Sequence, residues 1–139
     1  EIALFALAGK FKERIGPLTL LTAAALAGVI RWLLLAMLEN HVALFVTQIL
    51  HCFTFGAAHL GAMTFLSKTI PKDVFATGQG IYYTLVGGVF SGCMLPVAGF
   101  LFTSMAGNAF YFMAILSAFA LGGLYLLSRC SYQNLENEH

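Results

Sequence analysis

Charged side chains are scarce in this chain. Lys, Arg, Asp and Glu make up 9% of its 139 residues, whereas 60% are hydrophobic and the mean hydropathy is +0.86. A soluble domain carries ~25% charged residues, because its surface must be solvated. The composition therefore excludes a soluble globule and predicts an integral membrane protein in contact with the lipid bilayer. With a net charge of +1 and no long basic cluster, nothing indicates nucleic-acid binding.

The motifs of known catalytic sites are also missing. The chain has no paired carboxylates within its apolar runs, no HExxH, no nucleophile elbow and no phosphate-binding loop. Its cysteines, Cys52, Cys93 and Cys130, are odd in number, lack metal-type spacing and are interpreted as packing residues. A haem is disfavoured because the second apolar run alone offers intramembrane histidines, His51 and His59. We therefore predict no enzyme activity, no metal site and no cofactor.

Four apolar runs are long enough to cross a bilayer, which needs ~20 residues. We predict helices there, because lipid would leave the polar backbone of an open strand unpaired. The third run is overlong, and Pro96 within it should kink the helix or mark its outer end. The predicted spans cover residues 17–38, 42–66, 74–104 and 109–128.

The two ends of the chain differ from these spans. Residues 1–9 are apolar but too short to cross a bilayer, and the chain does not begin with Met. We interpret residues 1–9 as the end of a preceding helix and residues 129–139 as a polar tail. The whole chain, 1–139, is then predicted to be a partial transmembrane domain of a longer protein.

Basic residues fall on one side of the predicted topology. Six of the seven flank the spans on one face, whereas the opposite connections, ENH and MAGN, contain none. The positive-inside rule makes the basic side cytoplasmic. We expect a multi-pass protein of a plasma membrane, such as a bacterial inner membrane, with a cytoplasmic C-terminus. The six residues are Lys10, Lys12, Arg14, Lys68, Lys72 and Arg129.

Arg31 is the seventh basic residue, and it lies inside the first apolar run. A charge at that depth costs at least ~2.5–3.5 kcal/mol on insertion scales, so it usually serves a pathway or a partner. At ~1.5 Å per helical residue, Arg31 lies ~12 Å and His51 ~15 Å below the outer face. A short link joins their helices, so the two side chains could meet if both point inward.

Polar and aromatic residues of the second run follow one helical face, with spacings of three, four and four, and the third run adds a pair four apart. We predict that these residues line a water-filled cavity for substrate binding and translocation. An alternative stays open, most of all for His59 and Gln79: such residues also bridge helices by hydrogen bonds. The predicted site residues are Arg31, Gln48, His51, Phe55, His59, Gln79 and Tyr83.

Glycines form a second pattern in the third run, where Gly88 and Gly92 make a GxxxG motif. This spacing lets two helices approach closely. It predicts tight packing of the third helix, and the alternative is a small-residue face on which that helix slides during a conformational change.

The loop AGKFKERIGP resembles a degenerate form of a motif from major facilitator superfamily transporters, where it lies between helices two and three and again between helices eight and nine. Gly9, Arg14 and Gly16 match, and Glu13 matches the acid of the motif loosely. As the second copy, the loop implies that residues 1–9 end helix eight. The resemblance thus implies an all-α membrane fold, with four transmembrane helices, nine to twelve, plus the end of a fifth.

Further pieces resemble the lactose permease-like branch of that superfamily. VIRWLL and ILHCFTFGAAHLGAM are similar to its helices nine and ten, and ATGQGIYYTLVGG is similar to helix eleven of phenylpropionate permease-like members; nucleoside–proton symporter-like members are also similar. In that branch an Arg precedes a His by twenty residues, as Arg31 precedes His51. A Glu follows that His three residues later. Thr54 stands at the Glu position, so the acid of that proton route is absent there.

The resemblance implies a secondary active permease that moves a small organic solute by alternating access. Its substrate would be an aromatic acid, a nucleoside or a sugar. Arg31 would anchor either an anionic group of the substrate or a carboxylate on another helix, and His51 would hydrogen-bond the substrate. Proton symport stays open, since the coupling acid would lie in a missing N-terminal part. The alternative is a small four-helix structural or assembly subunit. A dimeric small multidrug exporter ranks last, because it needs an intramembrane acid.

Overall fold

The computed structural model of the chain describes residues 15–38 and 41–136. All regular secondary structure within these ranges is helical, which confirms the predicted all-α class. The predicted helix end in residues 1–9 lies outside the described residues. The α-helices are α1 (Pro17–Met37), α2 (His41–Thr69), α3 (Phe75–Tyr83), α4 (Ser91–Met105) and α5 (Ala109–Glu136).

Local sequence explains where the first and last of these helices begin and end. α1 begins at Pro17, where a proline is favourable because the first-turn N–H has no partner within the helix. It ends at Met37, since Leu38 is extended with φ −117° and ψ 118°. α5 begins where the fourth predicted span begins but continues past residue 128 to Glu136, so the polar residues after Arg129 prolong the helix.

A π-helical segment, Thr84–Phe90, joins α3 to α4 without a break in the helical path. Each π turn inserts an extra residue, and such segments occur mostly as single turns within α-helices. The Ser91 hydroxyl supports the wider turn by donating to the Val86 carbonyl over 2.9 Å. α4 continues as an α-helix through Pro96, where the sequence predicted a kink. The departure from α-helical geometry is the π-helical segment, which lies upstream of Pro96.

The chain leaves the axis of α4 at Ala106, whose φ of 48° and ψ of −130° are rare for an L-residue. A 3₁₀ turn, Ala106–Asn108, then leads into α5. Among the described residues, three helical stretches are long and apolar enough to cross a membrane: Pro17–Met37, Leu44–Thr69 and Phe75–Arg129. The third has 55 residues. It would rise ~80 Å if straight, far more than the ~30 Å bilayer core.

α1 is the central helix, with α2 packed on one side and α5 on the other. Both contacts use small residues, which let helix backbones approach closely in a membrane. A Cβ at Gly61 would lie 2.9 Å from Leu21 Cγ, and a Cβ at Gly28 would lie 3.3 Å from Ser117 Oγ. The buried apolar residues are correspondingly small: Ala24, Ala27, Ala57, Ala62, Ala109 and Ala114.

The helix formed by α3, the π segment and α4 is open by contrast. It contacts α2 through α3 and α5 through the end of α4. A Cβ at Gly88 or Gly92 would meet nothing within 4 Å. Large apolar side chains are also uncovered, with Leu95 72% and Phe100 71% exposed. Among the described residues, the tight packing predicted for the GxxxG motif is therefore not found.

Candidate functional site

A cavity of about 500 Å³ lies against α1, between α2 and α5. This volume falls within the ~300–1,000 Å³ of small-molecule sites. Most of its lining residues are apolar, so the few polar groups in it define which ligand chemistry it suits. Those polar groups belong to Arg31 from α1, His51 and Thr54 from α2, and Ser117 from α5.

Arg31 contributes a positive charge to the cavity wall. Its guanidinium carbon lies 4.0 Å from the centroid of the Trp32 ring, a favourable position for a cation over an aromatic face. Trp32 in turn stacks on Phe110 with ring centroids 5.9 Å apart. Arg31 Nε is buried and has no hydrogen-bond partner among the described residues. A buried donor left unpaired costs ~1–3 kcal/mol, so this one calls for an acceptor.

His51 brings a second unpaired polar atom to the same cavity. Its Nδ1 is buried and has no hydrogen-bond partner in the part of the chain that the structure describes. Thr54 does not supply one, because its hydroxyl donates to the His51 carbonyl over 2.9 Å. Arg31 and His51, on different helices, thus line one cavity, and each has a buried polar atom without a hydrogen-bond partner among the described residues.

Four side chains form a second polar group, the Tyr83 cluster, between α2 and α3. The Gln79 amide donates to Met63 Sδ over 3.2 Å. Tyr83 Oη lies 3.5 Å from His59 Nε2 and 3.9 Å from Met63 Sδ. The Gln79 contact joins the two helices, which favours the helix-bridging alternative for that residue.

A row of aromatic rings connects the cavity with the Tyr83 cluster. The ring centroids of His51 and Phe55 are 6.3 Å apart, those of Phe55 and His59 6.4 Å, and those of His59 and Tyr83 6.0 Å. The spacing of four residues along α2 produces this row, because residues four apart share a helix face. Phe55 is 51% exposed and belongs to both the cavity wall and the row.

The seven predicted site residues therefore fall into two neighbouring groups, not a single lining. Gln48 is exposed and belongs to neither group. Residues four apart on an α-helix differ in direction by ~40°. The polar and aromatic face of α2 therefore turns along the helix, from α1 at His51 towards α3 at His59, which explains the division. Arg31, His51 and Phe55 line the cavity, whereas His59, Gln79 and Tyr83 form the Tyr83 cluster.

Sequence reasoning missed three residues of these groups. Trp32 and Ser117 line the cavity, and Met63 accepts the hydrogen bonds of the Tyr83 cluster. Ser117 is a small polar residue within AILSAFALGG, and that interruption was a readable signal. Trp32 and Met63 gave no signal, because large apolar residues are ordinary in a membrane helix. Within the described residues, no group of three or more His, Cys, Asp or Glu could hold a metal ion.

Helices long and apolar enough to cross a membrane, with the half-buried cation Arg31 in a mostly apolar cavity wall, indicate a membrane protein. A family model described as the MFS_1 like family matches residues 1–119. This match covers most of the chain, so the chain belongs to that family of major facilitator transporters. The resemblance to the superfamily, the membrane location and the class of transport protein are thereby confirmed.

A named relative narrows the comparison. The chain is 32% identical over 117 residues to the "Probable 3-phenylpropionic acid transporter" of Escherichia coli (strain K12). The match covers 84% of this chain and 31% of that protein, so the chain spans about a third of the relative's length. No solved structure gave a significant match. Neither the family nor the relative supports the alternative of a structural or assembly subunit.

Proposed function

We propose that this chain is part of a secondary active transporter that moves a small aromatic carboxylate by alternating access. The observation that carries the proposal is the pair of buried atoms, Arg31 Nε and His51 Nδ1, without hydrogen-bond partners among the described residues. Both residues line an otherwise mostly apolar cavity. A carboxylate offers acceptors to a guanidinium in a geometry that suits both groups, and the apolar wall suits a hydrocarbon ring.

The name of the curated relative favours an aromatic acid over a nucleoside or a sugar, since it refers to 3-phenylpropionic acid. In our assignment Arg31 anchors the carboxylate, His51 donates to it through its imidazole, and Phe55 packs against the aromatic ring. Aromatic pairs add ~0.5–1.5 kcal/mol beyond the burial of their area. Gln79 bridges α2 and α3, and Gln48 is exposed and has no part in this assignment.

We also propose that the chain provides four spans of the C-terminal part of the transporter, with residues 1–9 ending a preceding helix. The break at Ala106 supports a division of the 55-residue stretch into two spans. The basic residues then lie on the cytoplasmic side. A fluorescent protein fused after residue 139 should fluoresce, and alkaline phosphatase fused after Gly107 should be active. The reverse pattern would rule out this topology.

Proton symport rests on the resemblance alone, because no Asp or Glu lies in the predicted spans. A coupling acid would have to lie elsewhere in the protein. Uptake by proteoliposomes with and without an imposed inward pH gradient measures the coupling. Identical uptake in both conditions would remove protons from the proposal while leaving the substrate assignment intact.

Arg31→Gln tests the carboxylate anchor. The full-length protein that contains this chain is reconstituted into proteoliposomes, and uptake of labelled 3-phenylpropanoate is measured. We expect the initial rate at low substrate to fall at least ~30-fold, because a buried ion pair that loses one member costs ~2–5 kcal/mol. Arg31→Lys should recover only part of it, since an ammonium cannot bind a carboxylate with a planar fork.

Arg129→Gln is the matched control, because it removes an arginine whose guanidinium lies 5.3 Å from the Tyr125 ring, away from the cavity. This variant should keep uptake within about twofold of the wild-type rate, as exposed charges contribute little. Wild-type uptake by Arg31→Gln at equal protein content would refute the anchor.

A further inference from the structure

The row of aromatic rings leads from the proposed carboxylate anchor to a hydroxyl group. It begins at His51 beside the cavity, passes Phe55 and His59, and ends at Tyr83. Phe55 and Tyr83 are 51% and 49% exposed, so the described residues leave half of each side chain uncovered. A flat aromatic ligand lying along this row would cover Phe55 and bring its far end to the Tyr83 cluster.

The Tyr83 hydroxyl is weakly bonded where it stands. Its distance of 3.5 Å to His59 Nε2 is at the outer limit of a hydrogen bond, and Met63 Sδ is 3.9 Å away. Sulfur is a weak acceptor, and a phenol has one proton to donate and lone pairs to accept with. Tyr83 can therefore take a shorter hydrogen bond from a ligand hydroxyl without giving up a strong one.

The length of the row selects the size of such a ligand. His51 and His59 are eight residues apart, which is a rise of ~12 Å along α2, and the Tyr83 hydroxyl lies 3.5 Å from His59 Nε2 at the far end. In extended 3-(4-hydroxyphenyl)propanoate the carboxylate and phenol oxygens are roughly 9 Å apart, and a hydrogen bond of ~2.9 Å at each end gives a reach of roughly 15 Å. A 4-hydroxybenzoate is roughly 2.5 Å shorter. It spans the row only if both hydrogen bonds are collinear with it.

We propose that Tyr83, with His59 beside it, recognises a hydroxyl on the aromatic ring of the substrate. The site then prefers three-carbon aryl acids with a para hydroxyl over the unsubstituted acids. This inference rests on the proposed function, because the carboxylate must be held near Arg31 and His51 for the hydroxyl to reach Tyr83.

Competition for uptake tests the preference in the full-length protein. Labelled 3-phenylpropanoate is the reporter, and unlabelled 3-phenylpropanoate and 3-(4-hydroxyphenyl)propanoate are the competitors. We expect the hydroxylated acid to inhibit about tenfold more strongly in the wild type, as for one hydrogen bond formed in a buried site. The preference should fall to less than about twofold in Tyr83→Phe. The same comparison between benzoate and 4-hydroxybenzoate should show little preference.

Tyr82→Phe is the matched control, because it removes a hydroxyl from the neighbouring residue, whose ring meets Tyr83 edge-on with centroids 5.5 Å apart. It should keep the tenfold preference. Immunoblots of the membranes establish that each variant is present, and the wild-type ratio decides the matter if Tyr83→Phe does not accumulate.

The outcomes separate this inference from the proposed function. Equal inhibition by the two propanoates in a wild type that transports the reporter would overturn the hydroxyl preference and leave the carboxylate site standing. A preference unchanged in Tyr83→Phe would overturn the role of that residue. A wild type that does not transport the reporter would overturn the proposed function, and this inference with it.

Discussion

Two regions of this chain have similar apolar composition and opposite packing. α1 lies between α2 and α5, with Gly28 and Gly61 in close contact with their neighbours. The helix of α3 and α4 carries more glycines, yet Gly88 and Gly92 face open space. Lipid tails are as apolar as leucine, so hydrophobicity alone does not bring membrane helices together. The difference shows that small residues permit close packing, and the partner helix decides whether they are used.

The same two regions differ in how their polar groups are satisfied. In the cavity, Arg31 Nε and His51 Nδ1 are buried without hydrogen-bond partners among the described residues. Beside α3, Gln79 and Tyr83 have neighbours within hydrogen-bonding reach, although those of Tyr83 are distant. A buried polar atom without a partner costs more free energy than one with a distant partner, so the cavity is the less satisfied of the two groups.

The strongest way to break this comparison is to place the same large side chain in both regions. Gly61→Leu should lower the thermal midpoint of the detergent-solubilised protein by about 5 °C or more, because overpacking costs ~1–3 kcal/mol. A Cβ there already lies 2.9 Å from Leu21 Cγ and 3.2 Å from Leu20 Cβ. Fluorescence-detected size exclusion after heating measures the midpoint.

Gly92→Leu is the matched change in the open region, where a Cβ meets nothing within 4 Å. We expect a smaller shift than in Gly61→Leu. A loss as large as that of Gly61→Leu would break the comparison, because it would mean that another part of the protein packs on this face.

A smaller effect sharpens the comparison at Phe55, which lies between the cavity and the Tyr83 cluster in the row of aromatic rings. Phe55→Leu should weaken the affinity for 3-phenylpropanoate about three- to tenfold, because it removes a ring contact worth ~0.5–1.5 kcal/mol. Phe53→Leu is the control, since Phe53 is 43% exposed and does not line the cavity. Equal affinities in the two variants would remove Phe55 from the binding path.

Much of the fold followed from pattern. The ~20-residue apolar lengths predicted helices that begin or end within a few residues of the observed bounds of α1, α2 and α4.

The grouping of the candidate site residues followed in part from pattern. The charge of Arg31 and the stripe on α2 led to the cavity and to the Tyr83 cluster. Ser117 had to come from a distant helix, and no local pattern showed that α5 packs against α1.

The sequence by itself determined that this is a helical membrane protein with a buried cation, because both conclusions depend on local composition and on ~1.5 Å of rise per residue. The family is shown by the family model that matches residues 1–119. Tertiary structure decided that Arg31 and His51 share a cavity with Ser117 of α5, and that Tyr83 belongs to a separate cluster. Those outcomes depend on which helix faces meet, and many residues far apart in the chain set those faces together.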